Sequence, residues 1–485
     1  MINNSKLIDL YRTLDTIEKR RFAEYVESPF FNSNKQVVLL NSYIANLLEK
    51  DEQSPIYKKK IYIRLFGKQK YVEQKVSDTM TFLMRLLESY ISQIRFEKIK
   101  LVQKEFLLTE LRERNLDKHF ISNSNDYRKL LEKKNQDASF YHERYILERE
   151  LDHYFIKKEV RKSNESLQAK SDNLDIYYLS EKLKDLCEME NRKNIIGAEY
   201  NPKMKSEVLE HIKHNQKLYK SIPIVHIYYT ILLCLTEPKK SDHFLELKSE
   251  LKKHADHFSR EEARQMYDHA QNYCIKRINS GESDFLEQLF SIYESLLENR
   301  VIFEGAYLSQ WDYKNIVSVA MRLNKFDWTK QFIENFKKHI APDSRENAYE
   351  YNLASYYYSK KDYRDALKLL QKVEFTDVFY HLGAKSMLLK MYYELEEVEP
   401  FYSLVDAFKV YLLRNKKISV YQRTVHQNLV KYTKNAFDLK LKGPVPSRTI
   451  YEKAIQKLKD KINKEKNITN LQWLQEQVNE LTIDD

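Results

Sequence analysis

The sequence predicts an all-α chain: an α-solenoid of antiparallel helix pairs behind an N-terminal helical unit. Three observations predict it. The 485 residues include only six glycines, where the usual share would give roughly thirty-four. Glycine supplies the left-handed backbone positions of hairpins, phosphate loops and nucleophile elbows, so its scarcity argues against Rossmann, P-loop, β-sandwich and α/β-hydrolase designs. Apolar residues recur at three- and four-residue steps in nearly every segment, few windows alternate with period two, and no Asn-Gly or Asp-Gly pair occurs. Helix-start chemistry is also present. Ser259-Arg-Glu-Glu262 reads as a capping box, with Glu262 reaching back to the cap, and Pro223, Pro342 and Pro400 sit near helix beginnings, where a missing N–H costs little.

Taken in order, residues 1–105 form the N-terminal helical unit. Leu7–Val26 gives one or two helices closed by Ser28–Asn32, Lys35–Leu48 another, and Ile56–Phe66 a further one ending at Gly67. One long helix is expected from about Tyr71 to Phe106. Residues 106–309 read as a helical-repeat region of unassigned type, with an interruption around Ser122–Asp126 and a polar linker or loop over Lys162–Asn173. Beyond that stretch come antiparallel helix pairs of roughly fifteen residues each, as far as Lys440. Gly443-Pro444-Val445-Pro446 is the clearest breaker, and 441–485 closes the chain with basic helices.

At 42% hydrophobic the chain can bury a substantial core. Met1–Asp15 lacks the apolar run of a secretory signal. Ile222–Leu235, the most apolar stretch, is too short for a bilayer span and carries His226 and Thr230, so it reads as a buried helix. Cys187, Cys234 and Cys274 are odd in number and widely spaced, which suits buried thiols in a reducing compartment, and the cytoplasm is the expected location.

Internal periodicity is the most informative feature. The stretch Tyr351–Val373, YNLASYYYSKKDYRDALKLLQKV, is similar to a tetratricopeptide repeat. The resemblance puts Leu353, Ala354 and Tyr357 on a first helix, Tyr363 at the turn, and Ala366, Leu370 and Val373 on a second. Small Ala354 and Ala366 would let the two helices approach closely. Thirty-five residues later Leu388, Leu389 and Tyr392 recur in step, with Phe401 where the alanine would stand; thirty-seven residues earlier Ile316, Ala320 and Phe326 do so, with Thr329 at the alanine position. The resemblance is clear only over 310–415, and the tetratricopeptide-like repeats are assigned to 310–440. It implies a concave groove, lined by first helices, that receives a peptide or helix from a protein partner. Carried over by alignment, the groove-facing positions are Lys314, Ser318, Tyr351, Asn352, Ser355, Tyr358, Lys390 and Tyr393. Some family members clamp a terminal carboxylate with Lys, Asn and Arg. Lys314 and Asn352 fit two of those places, whereas Ser318, Gly383 and Met387 do not fit the others, so the ligand type stays open. Alanine at Tyr351 and Tyr358 is expected to weaken partner capture with little change in melting temperature.

No catalytic string (G-x-S-x-G, G-x-G-x-x-G, Walker A or H-E-x-x-H) is present, and no enzyme, cofactor or metal site is expected. Glu207, His211 and His214 share a helix face at metal-ligand spacing, as His254 and His257 do more loosely with His243 upstream. Their Glu/Lys-rich surroundings favour solvated faces.

The formal net charge of +11 concentrates between 409 and 466, with 16 Lys/Arg against 4 Asp/Glu. There Arg414, Lys416, Lys417, Arg423, Lys431 and Lys434 interleave with Tyr411, Tyr421 and Tyr432, a pattern that suits phosphates and stacked bases. A charged solenoid end or a surface for an acidic protein fits equally. Ile56–Phe66 followed by the helix from Val72 also imitates a helix-turn-helix, although Met80, Phe82, Leu83, Met84, Leu86 and Leu87 give that helix a core-like face. The expected function is a non-catalytic protein–protein interaction scaffold; the alternative is a nucleic-acid-associated regulator using the N-terminal unit or the basic patch.

Overall fold

The computed structural model describes residues 5–50, 55–67, 69–158, 165–196, 198–371, 373, 377–443, 447–465 and 467–481. It is 80% helical, with 24 α-helices among the described residues and almost no sheet. The chain forms two compact units, Met1–Glu181 and Lys182–Asp485.

In the first unit, α1 (Lys6–Arg12) and α2 (Thr16–Glu27) are separate because Asp15 starts a new helix. Its carboxylate accepts from the Glu18 N–H at 2.8 Å, and the Glu18 carboxylate accepts from the Asp15 N–H at 3.2 Å. These helices, α3 (Lys35–Lys50), α4 (Lys58–Phe66) and α5 (Glu73–Lys98) enclose one core built on Phe22, Ile44, Ile61, Leu83 and Leu87. The long helix expected over Tyr71–Phe106 is broken at Ile99, which leaves helical geometry at φ −104° and ψ 85°. The break lets the apolar faces on either side serve different cores. α6 (Lys100–Glu113) packs with α7 (Asp117–Leu131) and α8 (Ala138–Lys157) around Leu108, Phe120, Tyr127 and Leu147.

The interruption expected at Ser122–Asp126 lies inside α7. Asn123 and Ser124 bond back to the carbonyls of His119 and Phe120, at 2.9 and 2.8 Å, which satisfies polar side chains without leaving the helix. The chain turns instead at Asn115, φ 59°. Of the expected linker Lys162–Asn173, residues 162–164 lie outside the described residues, and 165–173 open α9 (Glu165–Ile196). Asn173 there bonds the Ala169 carbonyl at 2.6 Å.

The second unit continues with α10 (Lys205–His214), α11 (Gln216–Lys220), α12 (Pro223–Thr236), α13 (Ser241–His254), α14 (Arg260–Asn279) and α15 (Phe285–Glu298). A hairpin that the sequence did not announce follows, β1 (Phe303–Glu304) and β2 (Tyr307–Leu308), turning through Gly305 at φ 65°. Then come α16 (Gln310–Arg322), α17 (Phe326–Phe336), α18 (Pro342–Ser359), α19 (Tyr363–Leu370), α20 (Val378–Glu394), α21 (Val398–Arg414), α22 (Val420–Lys442), α23 (Arg448–Lys464) and α24 (Leu471–Glu480). Residues 444–446 of the expected breaker, and Lys466, lie outside the described residues.

α12 is buried along nearly its whole length, and no described helix is long and apolar enough to cross a membrane. Ser259 caps α14 by accepting from the Glu262 N–H at 3.2 Å. Glu262, however, does not reach back: it is 7% exposed and its carboxylate takes the Tyr228 hydroxyl and the Lys184 ammonium. Charge pairing inside the core wins over the second half of the capping box.

From α16 onward each helix packs on the next, and every second helix also packs on the next but one: α16 on α17 and α18, α18 on α19 and α20, α20 on α21 and α22. Ala354 and Ala366 are fully buried on α18 and α19. Where alanine is replaced, Thr329 buries its hydroxyl on the Lys325 carbonyl at 2.7 Å, and Phe401 stacks into the C-terminal core 4.1 Å from Phe437.

The ends of α16, α18 and α20 share one geometry. Asn324, Lys361 and Glu396 are left-handed (φ 56°, 61° and 57°). The following N–H reaches back five residues in each case, Lys325 to Ala320, Asp362 to Tyr357 and Glu397 to Tyr392. These are Schellman turns, normally built on glycine. Lys361→Gly is therefore expected to raise stability by about 0.5–1 kcal/mol, read as an upward shift in Tm; an unchanged or lowered Tm would count against strain at this position.

Candidate functional site

α16, α18 and α20 each present residues at i, i+4 and i+7 to one cleft of about 670 Å³. α16 gives Lys314, Ser318, Met321 and the rim residue Arg322; α18 gives Tyr351, Ser355 and Tyr358; α20 gives Gly383, Met387 and Lys390, with Ser386 beside them. Gln422 and His426 of α22 and the turn Thr469–Asn470 complete the lining.

Lys314 and Lys390 stand at either end of the α18 floor. The Lys314 ammonium lies 5.1 Å from the centres of both the Tyr351 and Tyr380 rings. The Lys390 ammonium lies 4.6 Å from Tyr358 and 5.8 Å from Trp473, and donates to the Asn470 side chain at 3.2 Å. Neither lysine makes an ion pair among the described residues. Burial pushes both below the usual lysine value, Lys314 against the pull of Asp377, and Lys390 down to about 8 against the pull of Glu394. His426, held by the Gln422 carbonyl at 2.8 Å, is likewise pushed down by burial. The Ser386 hydroxyl is buried without a hydrogen-bond partner.

Glu394 ties this region to the C-terminal helix. Its carboxylate accepts from the Tyr358 hydroxyl at 3.2 Å, from the Tyr363 hydroxyl, and from the Trp473 indole N–H at 2.7 Å. Gly383 serves the floor differently: a methyl group there would run into the Tyr351 hydroxyl.

Six of the eight groove positions expected from the sequence, Lys314, Ser318, Tyr351, Ser355, Tyr358 and Lys390, line this cleft. Asn352 and Tyr393 do not. Asn352 is 1% exposed and turns back onto the Ala348 carbonyl at 2.7 Å, whereas Tyr393 is buried in the C-terminal core, 5.5 Å from both Phe437 and Trp473. Asn352 follows Tyr351 by one position, which turns it about 100° off the cleft face, whereas Tyr393 lies a turn beyond Lys390, where α20 packs into the C-terminal core. Sequence reading missed Ser386, His426, Thr469 and Asn470. Asn470 reaches Lys390 across 80 positions, and no local pattern signals such a contact.

In the basic patch, Arg414, Lys416 and Lys417 are exposed around the α21–α22 turn. Arg423 donates to the Asn415 carbonyl at 3.3 Å, Lys431 lies 5.0 Å from the Tyr432 ring, and Lys434 lies 5.9 Å from the Tyr402 ring. Tyr421 is exposed, but Tyr432 is buried and Tyr411 stacks on His381 at 3.8 Å. Two of the three aromatics expected to meet bases are thus engaged in packing. The histidines weighed as ligands also have partners: His211 the Tyr219 hydroxyl at 2.8 Å, His214 the Glu210 carbonyl at 2.7 Å, and His243 the Glu237 carboxylate at 3.2 Å. The three cysteines are free and buried. In the N-terminal unit α5 buries Val76, Met80, Leu83, Leu86 and Leu87, the core-like face that argued against DNA reading, while Phe82 is exposed.

No family model, curated protein or solved structure matches the chain.

A buried lysine with a lowered pKa destabilises the fold while it is charged, and that penalty fades as pH rises from about 8 towards the usual lysine value. Lys390→Met should accordingly be more stable than wild type at pH 7, by about 1–2 kcal/mol. The gap should close by about pH 10.5. Thermal melts across pH check this; a variant less stable at pH 7 would show that the Asn470 and aromatic contacts outweigh desolvation.

Proposed function

We propose that the protein is a non-catalytic interaction scaffold: an α-solenoid, tetratricopeptide-like over 310–440, that receives a peptide or helix of a protein partner in the cleft on α16, α18 and α20. The observation that carries this reading is the convergence of six separately aligned positions on one cleft. The recurrence of one turn geometry at Asn324, Lys361 and Glu396 supports the repeat register. Tyrosine on the floor suits capture of a partner, because it offers rigid contact area with a polar tip.

Ser355 lies at the middle of the floor with a small, half-buried side chain. Ser355→Trp is expected to fill the cleft and abolish partner recovery in affinity purification from the native cell, with the melting temperature kept. Unchanged partners in a folded variant would refute the groove. The nucleic-acid reading of the basic end has the exposed Arg414, Lys416, Lys417 and Tyr421 in its favour. Loss of the partners on nuclease treatment would favour it over the scaffold.

A further inference from the structure

We propose that the segment received by this cleft is an acidic peptide that places two carboxylates about 10 Å apart, one at Lys314 and one at Lys390. The proposal rests on the cleft being a partner-binding groove and adds the chemistry of what binds there.

The cleft is charged in one sign only. Lys314, Lys390 and Arg322 line it, and no aspartate or glutamate does among the described residues. The nearest carboxylates stand behind the lining. Asp377 acts on Lys314 and Glu394 on Lys390, but Glu394 is already engaged by Tyr358, Tyr363 and Trp473. A half-buried cation without an ion pair is costly unless a ligand completes it. Here two such cations face one cleft.

The spacing comes from the helix beneath. Lys314 covers Tyr351 and Lys390 covers Tyr358. Those tyrosines are seven positions apart on α18, which is about 10.5 Å along the axis. A single carboxylate or phosphate is too small to satisfy both ammonium groups. A peptide in the polyproline-II conformation has three residues per turn and rises about 3.1 Å per residue, so acidic side chains three positions apart share one face and span about 9.3 Å, enough to bridge the gap. Ser318 and Ser355, small and lying between the two ends, leave room for the connecting backbone.

The test uses the full chain and fluorescein-labelled decapeptides of glycine and serine with amidated C-termini, followed by fluorescence polarisation at low salt. One peptide carries aspartate at positions 4 and 7, a second at 4 and 5, and a third asparagine at 4 and 7. The first is expected to bind about tenfold more tightly than either of the others, and to weaken about tenfold in Lys314→Gln and again in Lys390→Gln. Both variants should melt no lower than wild type, because each removes a half-buried charge. Equal binding of the asparagine peptide, or affinity untouched by both substitutions, overturns the proposal. Equal binding of the 4,5 peptide, or full displacement by inorganic phosphate at matched ionic strength, replaces the two-point site with a single anion site and overturns it too. If Ser355→Trp removes the cellular partners while no acidic peptide binds, the groove stands and its acidic ligand falls. If the 4,7 peptide binds through the lysines while Ser355→Trp leaves the partners in place, the reverse holds.

Discussion

Replacing Glu394 with alanine is expected to lower the stability of the second unit by about 3 kcal/mol. The carboxylate gathers the Tyr358 and Tyr363 hydroxyls and the Trp473 indole, and it lies beside the Lys390 ammonium. Its removal leaves half-buried donors unpaired, and each such loss costs about 1–3 kcal/mol. The damage should also be local. Trp473 belongs to α24, so loosening it frees the Thr469–Asn470 wall of the cleft. Urea unfolding measures the global loss, and hydrogen exchange at 469–480 measures the local one. Glu394→Gln keeps an acceptor and should recover about half the deficit. A fully stable Glu394→Ala protein would mean that the three donors find water at no penalty.

The second large effect is expected at Tyr351. The sequence suggested a groove side chain that could be truncated with little change in melting temperature. Its ring is instead 6% exposed, edge-on to Tyr380 at 4.7 Å, with Lys314 over it and Gly383 beneath its hydroxyl. Tyr351→Ala removes a buried aromatic and should cost about 3 kcal/mol, at the low end for such truncations because the cleft lets water into the space. Tyr351→Phe should cost little. Gly383→Ala should be destabilising in the wild type and largely rescued by Tyr351→Phe, since the added methyl meets the hydroxyl first. A Tm for Tyr351→Ala within a degree of wild type would put this residue back among the purely ligand-facing ones.

The contrast between Tyr351 and Tyr358 marks what sequence can and cannot tell. Both lie on one face of α18 and both line the cleft, as their seven-residue spacing predicts. Which of them is also core depends on what stands opposite. Gly383 and Tyr380 close over Tyr351, whereas Tyr358 stays half-buried and turns its hydroxyl to Glu394. Helices were legible because their apolar period is local. The break at Ile99 was not, because the pattern stays helical on both sides and only the choice of core changes. Ser122–Asp126 looked like a loop because serine and asparagine compete with backbone hydrogen bonds, and their i−4 bonding inside α7 emerges only in three dimensions. The α24 wall was invisible for a simpler reason: Trp473 and Asn470 meet Glu394 and Lys390 about eighty positions away.

The left-handed turns after α16, α18 and α20 carry a consequence for how such a chain changes over evolutionary time. Asparagine, lysine and glutamate occupy the same backbone position in three successive turns, so neutral, positive and negative side chains all satisfy it. Backbone hydrogen bonds hold the geometry, and the side chains stay exposed, Glu396 pairing there with Lys440 at 2.9 Å. Drift at these sites can recolour the electrostatic coat one turn at a time while the packing beneath stays unchanged. Whatever partner the helices serve, selection has places to adjust long-range attraction without touching the cleft.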